Sequence, residues 1–194
     1  ELQGFGSYLY GKTSIANEKG LYKYEFTVNK NWQSKKVYIV FEGSMTDTDV
    51  KINGKSAGPV HQGAFYRFKY DITDLLNFDG KNLLEVTVSK ESSNESVNRA
   101  ERLADYWVFG GIFRPVYLEA VPNQSIDRIA IYAKADCSFH MDVFTMGNGK
   151  AKTVRAQIQT PDGKSFGPAM IADIGDAQGK ATIKGSVTTP ALWN

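Results

Sequence analysis

Apolar residues in this chain recur at every second position, in short stretches that end at glycine, proline or asparagine. Tyr22, Tyr24, Phe26 and Val28 alternate with Lys23, Glu25 and Thr27, and Leu84, Val86 and Val88 alternate along NLLEVTVS. A period of two places successive side chains on opposite faces of a strand, so each of these stretches reads as a strand buried on one side. KVYIVFEG is apolar on both faces and reads as a central strand. No segment has a helical period long enough to cover a sheet. Sheet must therefore pack on sheet, which predicts an all-β chain.

The turns agree. Asn53-Gly54 between alternating flanks predicts a hairpin with a type I′ turn, and FYRFKYD follows as a strand. In DITDLL, Asp71 is placed to cap a single helical turn, and Asp79-Gly80 then turns the chain into NLLEVTVS. Residues 1–20, rich in glycine, tyrosine and serine, read as an ordered loop laid on the sandwich and pinned by Phe5, Tyr8 and Tyr10. VNKNWQSKK reads as a turn in which Trp32 either stacks on a sugar or packs the loop. The polar stretch KESSNESVNRAERL, residues 90–103, reads as a long loop. Many short strands joined in this way fit a jelly-roll sandwich.

Pro122-Asn123-Gln124 punctuates the chain, after which strands are expected at SIDRIAIYAKA, SFHMDVFTM, KTVRAQIQT, AMIADIG and GKATIKGSV. Two domains follow from this break, residues 1–121 and residues 122–194. The 194 residues, 42% hydrophobic, are enough for a core in each and predict a soluble globular protein. A formal net charge of +2 without long basic runs leaves no electrostatic footprint for nucleic acid or an anionic membrane. No apolar run approaches the roughly 18 residues of a membrane helix. The single cysteine, Cys137, excludes an internal disulfide and reads as a small apolar filler. His61 and His140 lack partners at zinc spacing, so no metal is expected on them.

One segment mixes residues that ordinary core does not. From Arg99 to Pro122 the chain combines Asp105, the aromatic pair Tyr106-Trp107, the pair Gly110-Gly111, and Arg114 inside an apolar run. The glycines permit a sharp loop before a strand IFRPVYLEAV, Pro115 argues for an edge or bulge, and a buried Arg114 would need a carboxylate partner. Asp105 either serves a ligand or pairs with Arg102 or Arg114 to fix the loop.

DYWVFGGIFRPVYLEAVP resembles the end of the N-terminal sugar-binding domain of glycoside hydrolase family 2, the family of β-galactosidases, β-glucuronidases and β-mannosidases. DVKINGKSAGPVHQGAFYRFKYDITDLL and GKNLLEVTVS are similar to the same family. The resemblance implies a galactose-binding-like jelly roll followed by a smaller immunoglobulin-like β-sandwich that lacks its last strand. It implies an N-terminal, non-catalytic part of a retaining exo-glycosidase, β-galactosidase-like, whose two catalytic glutamates lie on a downstream (β/α)8 barrel of the same protein. Glu25, Glu42, Glu85 and Glu119 sit in strand patterns and read as exposed or paired surface groups.

In β-galactosidase-like members, the aspartate before the aromatic-tryptophan pair reaches into the active site, contacts the sugar and helps hold a monovalent cation. The matching position is Asp105, with Tyr106 and Trp107 as packing groups for a carbohydrate substrate; the fragment itself needs no cofactor. In the early loop, Lys12 stands where some β-galactosidases carry an asparagine that lines the sugar pocket, and an ammonium group has only donors to offer. Analogy with glycan degraders of the family implies a periplasmic or extracellular location. Two other readings of the residues are an autonomous carbohydrate-binding module and a structural β-sandwich scaffold.

Overall fold

The computed structural model describes residues 5–8, 18–103, 107–147, 150–175 and 179–186. The chain divides into two compact units, Glu1–Ala120 and Val121–Asn194. Strands dominate both, and the chain is all-β apart from a single short α-helix among the described residues.

In chain order the first unit carries β1 (Phe5–Tyr8), β2 (Lys19–Phe26), β3 (Lys35–Phe41), β4 (Ser44–Met45), β5 (Asp47–Ile52), β6 (Lys55–Ser56), β7 (Phe68–Asp71) and β8 (Asn82–Ser89). Helix α1 (Glu95–Glu101), β9 (Trp107–Ile112) and β10 (Val116–Pro122) complete it. The strands form sheets of order β2-β8-β5-β6, β10-β3-β7 and β1-β9-β4. Val37, Ile39 and Phe41 of β3, Val50 and Ile52 of β5, and Leu84, Val86 and Val88 of β8 meet in one core with Ile72 and Ile112. As its doubly apolar sequence requires, β3 is central in its sheet and buried from Val37 through Phe41. Trp32 packs against this core from a 3-10 turn at Lys30–Trp32, the packing role rather than the sugar platform.

The β5–β6 hairpin turns through Asn53 and Gly54 at φ 53° and 77°, the paired positive angles of a type I′ turn. Asn53 also ties the hairpin down. Its Nδ2 donates to the Leu75 carbonyl at 2.9 Å and to Asn82 Oδ1 at 2.8 Å, while its Oδ1 accepts from the Leu83 N–H at 2.8 Å. Asp71 accepts from the N–H of Thr73 at 3.0 Å and so fixes the start of the 3-10 turn Thr73–Leu75, acting one residue before its N-cap, Ile72.

Three sequence expectations change. Residues 5–8 form β1 rather than loop, pairing antiparallel with β9. The glycine pair lies inside β9, with Gly111 at φ 90°, and the strand expected from Ile112 onward breaks at Phe113–Pro115 before β10. Pro115 supplies no donor there, and its carbonyl accepts from the Glu42 N–H at 3.1 Å. The polar stretch 90–103 contains α1, started by Asn94, whose side chain accepts from the Ser96 N–H at 3.0 Å.

The second unit carries β11 (Ser125–Ala133), β12 (Ser138–Met146), β13 (Thr153–Ala156), β14 (Met170–Asp173) and β15 (Lys180–Ser186), in sheets β11-β12-β15 and β13-β14. Met141, Val143, Ala181 and Ile183 form its core, with Val154, Ala156, Met170 and Ala172 of the smaller sheet packed on them. Cys137 is no core filler: it is part-exposed in the β11–β12 turn at φ 71°.

Candidate functional site

Asp105 and Tyr106 lie outside the described residues, as do Tyr10 and Lys12. Trp107 opens β9 with its backbone opposite Tyr8; its side chain is also outside the description. Positions 104–106 are bounded in the chain by the stretch that follows α1 on one side and by β9 on the other.

β9 is held from both edges. Its first four residues pair with β1, from Trp107 opposite Tyr8 to Gly110 opposite Phe5, and Gly111 and Ile112 pair with Met45 and Ser44 of β4. Gly111 sits at a positive φ where a side chain would be strained, so the glycine lets β9 pass from one partner strand to the next.

On the other side, residues 90–98 fold onto Asp47, which is 8% exposed at the start of β5. Its carboxylate accepts from Ser92 Oγ at 2.5 Å, from the Ser93 N–H at 2.8 Å and Oγ at 2.7 Å, and more weakly from Gln62 Nε2 at 3.4 Å. Burial pushes the Asp47 carboxyl upward, but these donors together outweigh it and hold it below the ordinary carboxylate value. Asn98 closes the loop back on itself, accepting from the Ser92 N–H and donating to the Ser92 carbonyl, both at 2.8 Å. Lys90 is fully buried, with its ammonium 3.3 Å from Glu18.

Beyond α1, the Arg102 side chain is 2% exposed, and its Nη1 lies 3.6 Å from Met45 Sδ. Glu101 Oε2 accepts from the Ala64 N–H at 2.7 Å, which ties the end of the helix to the 61–67 loop. That loop carries His61, stacked on Phe68 with ring centroids 3.7 Å apart. Burial lowers the His61 imidazole and outweighs the opposing contributions of Gly63, Glu101 and Asp47.

Arg114 takes no carboxylate among the described residues. It is exposed, and its Nη1 donates to the Glu42 and Phe65 carbonyls at 3.3 Å each, while the pairing with Asp105 weighed from the sequence falls outside the described residues. An exposed guanidinium keeps its water and needs no counter-charge. The glutamates are paired surface groups: Glu25 with Lys81 at 2.8 Å, Glu85 with Lys23 at 2.8 Å, Glu42 with Arg67 at 3.3 Å, and Glu119 with Lys69 at 3.7 Å. No group of three or more His, Cys, Asp or Glu among the described residues converges as a metal site would. No helix among them is long and apolar enough to cross a membrane.

The sequence pointed to positions 105–107 and to Arg102, but not to Asp47, on which residues 92–93 of the approach are anchored. The signal was present in part: Ser92-Ser93-Asn94 is a run of small hydrogen-bonding side chains of the kind that folds a loop onto a carboxylate.

Comparison with known proteins places this frame. Residues 11–122 match the sugar binding domain of the glycosyl hydrolases family 2. A β-galactosidase of Thermoanaerobacter pseudethanolicus is 35% identical over 106 residues, 54% of this chain and 14% of that protein. A β-galactosidase of Halalkalibacterium halodurans is 29% identical over 182 residues, 92% of this chain and 17% of that protein. Among solved structures, a Bifidobacterium dentium β-glucuronidase complexed with coumarin-3-O-glucuronide superposes with a TM-score of 0.72 at 25% identity, over 90% of this chain and 34% of that one. The chain thus spans only 14% and 17% of the length of these two β-galactosidases. On a match that takes in β2 through β10, and with them both elements that bound positions 104–106, the chain belongs to glycosyl hydrolase family 2.

Proposed function

We propose that these residues are the N-terminal, non-catalytic part of a retaining family 2 exo-glycosidase that acts on β-galactosides, and that they lend Asp105 to the wall of its sugar pocket. The chemistry itself belongs to two glutamates on a (β/α)8 barrel elsewhere in the same polypeptide, about 5 Å apart as a retaining mechanism requires. Asp105 accepts hydrogen bonds from the hydroxyls of the terminal sugar, and Tyr106 and Trp107 pack beside it. A carboxylate at this position is also a hard oxygen donor suited to a monovalent cation, which would neutralise it next to the sugar. The enzyme works on glycans outside the cytoplasm, in the periplasm or beyond the cell.

The observation that carries this reading is the family match over residues 11–122, which contains Asp105 in its motif. The surroundings support it: the buried Asp47 network fixes the chain at residues 92–98 and the pairing of β9 fixes it from Trp107 onward, before and after the segment 104–106.

The test is Asp105→Asn in the full-length protein, assayed on aryl β-galactosides and aryl β-glucuronides. Loss of a charge-assisted contact should lower kcat/KM on the preferred glycoside by about 10- to 100-fold, with the melting temperature nearly unchanged. Kinetics equal to the parent enzyme on both substrates would remove Asp105 from the pocket. Preference for the glucuronide would move the substrate class without moving the site.

A further inference from the structure

In the second unit, the register of β11, β12 and β15 lines up three rows of side chains. Tyr132, His140 and Lys184 stand in one row, Ala130, Asp142 and Thr182 in the next, and Arg128, Phe144 and Lys180 in the third. These residues share the outer face of the sheet, opposite to the one on which Met141, Val143, Ala181 and Ile183 form the core. The Arg128 guanidinium lies over the Phe144 ring, 3.5 Å from its centroid, and the Lys180 ammonium is 5.4 Å from the same centroid. Asp142 is the one carboxylate in these rows. Its Oδ1 accepts from Thr182 Oγ1 at 2.7 Å and lies 3.0 Å from His140 Nε2, while its Oδ2 pairs with Lys180 at 3.0 Å. Asp142 thereby balances Lys180, whereas Arg128 and Lys184 take no carboxylate among the described residues. At the end of the face, Tyr132, Lys134, His140 and Lys184 line an open cleft of about 430 Å³, and Tyr132 is 53% exposed.

A sheet face turned to water needs only polar side chains. Aromatic rings set among cations offer more: an apolar face for a ring to stack on, beside donors for anionic substituents. We propose that this face of the second unit binds a carboxylated polysaccharide, a chain of uronic acid residues, with Tyr132 against a sugar ring and Arg128 and Lys184 on carboxylates. This rests on the reading above, that the chain belongs to an enzyme acting on glycans. Three observations select that ligand. With its guanidinium laid on Phe144 and no ion pair among the described residues, Arg128 keeps its fork of donors for a planar carboxylate, which accepts them in pairs. The rows of Arg128 and Lys184 are four positions apart along the strands, roughly 13 Å, so a small anion cannot meet both and a ligand with repeated charges can. The net charge of +2 over the whole chain leaves little attraction for nucleic acid, whose affinity is carried by dense phosphates. A polymer held on this face would keep its own terminal sugars at raised concentration around the enzyme.

The experiment is isothermal titration of the full-length protein with oligogalacturonate, with a neutral β-linked galactan oligosaccharide and an oligothymidylate of equal length as comparisons. The expected result is saturable binding of the oligogalacturonate, weakened by added salt and far tighter than either comparison. Affinity should fall about 10-fold or more in an Arg128→Gln, Lys184→Gln variant, whose melting temperature stays near the parent's because both side chains are exposed. Tyr132→Ala should lower it about 3- to 10-fold. The proposal is overturned by no binding, by affinity unchanged in the double variant or in Tyr132→Ala, by equal affinity for the neutral oligosaccharide, or by equal or tighter binding of the oligonucleotide. Asp105→Asn separates this face from the pocket. Oligogalacturonate affinity retained in that variant, alongside unaltered glycoside kinetics, would sink the pocket reading and leave the face standing. Affinity lost with Asp105 would put the oligomer in the pocket and overturn the face.

Discussion

Asp47 is a carboxylate almost without solvent, and its hydrogen-bond donors are neutral hydroxyls, an amide N–H and a side-chain amide. Its folded-state pKa is depressed from 3.8, so the stability it contributes is present above that value and is lost as pH falls through the lower folded value. His61 acts earlier on the acid limb: burial disfavours its charged form, so its contribution is present above 6.5 and declines as pH falls below it. Asp47→Asn should cost about 1–3 kcal/mol at neutral pH, because an amide cannot accept all the donors aimed at the carboxylate. Denaturant unfolding as a function of pH checks this. The gap between the two proteins should narrow below pH 3.8, and a gap constant down to pH 2 would show that the carboxylate charge is not what the donors stabilise.

At the scale of elements, legibility followed locality. The hairpin at Asn53-Gly54, the central β3 and the alternating β8 were readable because turn chemistry and period are written in adjacent residues. Helix α1 was not, since its only large apolar side chain is Val97 and the carboxylate that organises its approach lies in β5, far away in sequence. The break at Phe113–Pro115 was missed for a similar reason: Gly110-Gly111 looks like a loop until β1 and β4 are seen on either side of it. Around the candidate site, the family motif was legible in adjacent residues, while the anchoring of residues 92–93 on Asp47 was not. Gly111→Ala tests the account of β9: a Cβ at φ 90° should cost about 1–2 kcal/mol, read as a lowered unfolding midpoint. Full tolerance of alanine would mean that the strand does not need the glycine's freedom. In the second unit, Val143 and Ile129 are opposed in the β11–β12 register but 1% and 51% exposed. Val143→Ala should therefore cost about 2 kcal/mol and Ile129→Ala under about 1 kcal/mol, and equal costs in denaturant unfolding would contradict this placement of the core.

For the molecule as a whole, the Asp47 network and the doubly paired β9 lie on either side of positions 104–106 in the chain, and on the proposed reading the first unit is a mount for Asp105. If that is their use, Asp47 and Asp105 are coupled. Asp47→Asn in the full-length enzyme should lower kcat/KM well below the melting temperature, yet change little further in an Asp105→Asn background, since the frame then has nothing left to position. Additive losses in that double-mutant cycle would separate the network from the pocket.

The pairing of β1 with β9 carries a consequence for biosynthesis. Phe5 stands opposite Gly110, so two of the most distant segments of the unit must meet to make a single ladder, a closure that is slow in conformational search and late in translation. While the ribosome has released only the residues through β8, β1 has no partner and the platform for positions 104–106 does not exist. The sandwich can begin to condense around β3, β5 and β8, but the β1–β9 ladder closes only once β9 has emerged.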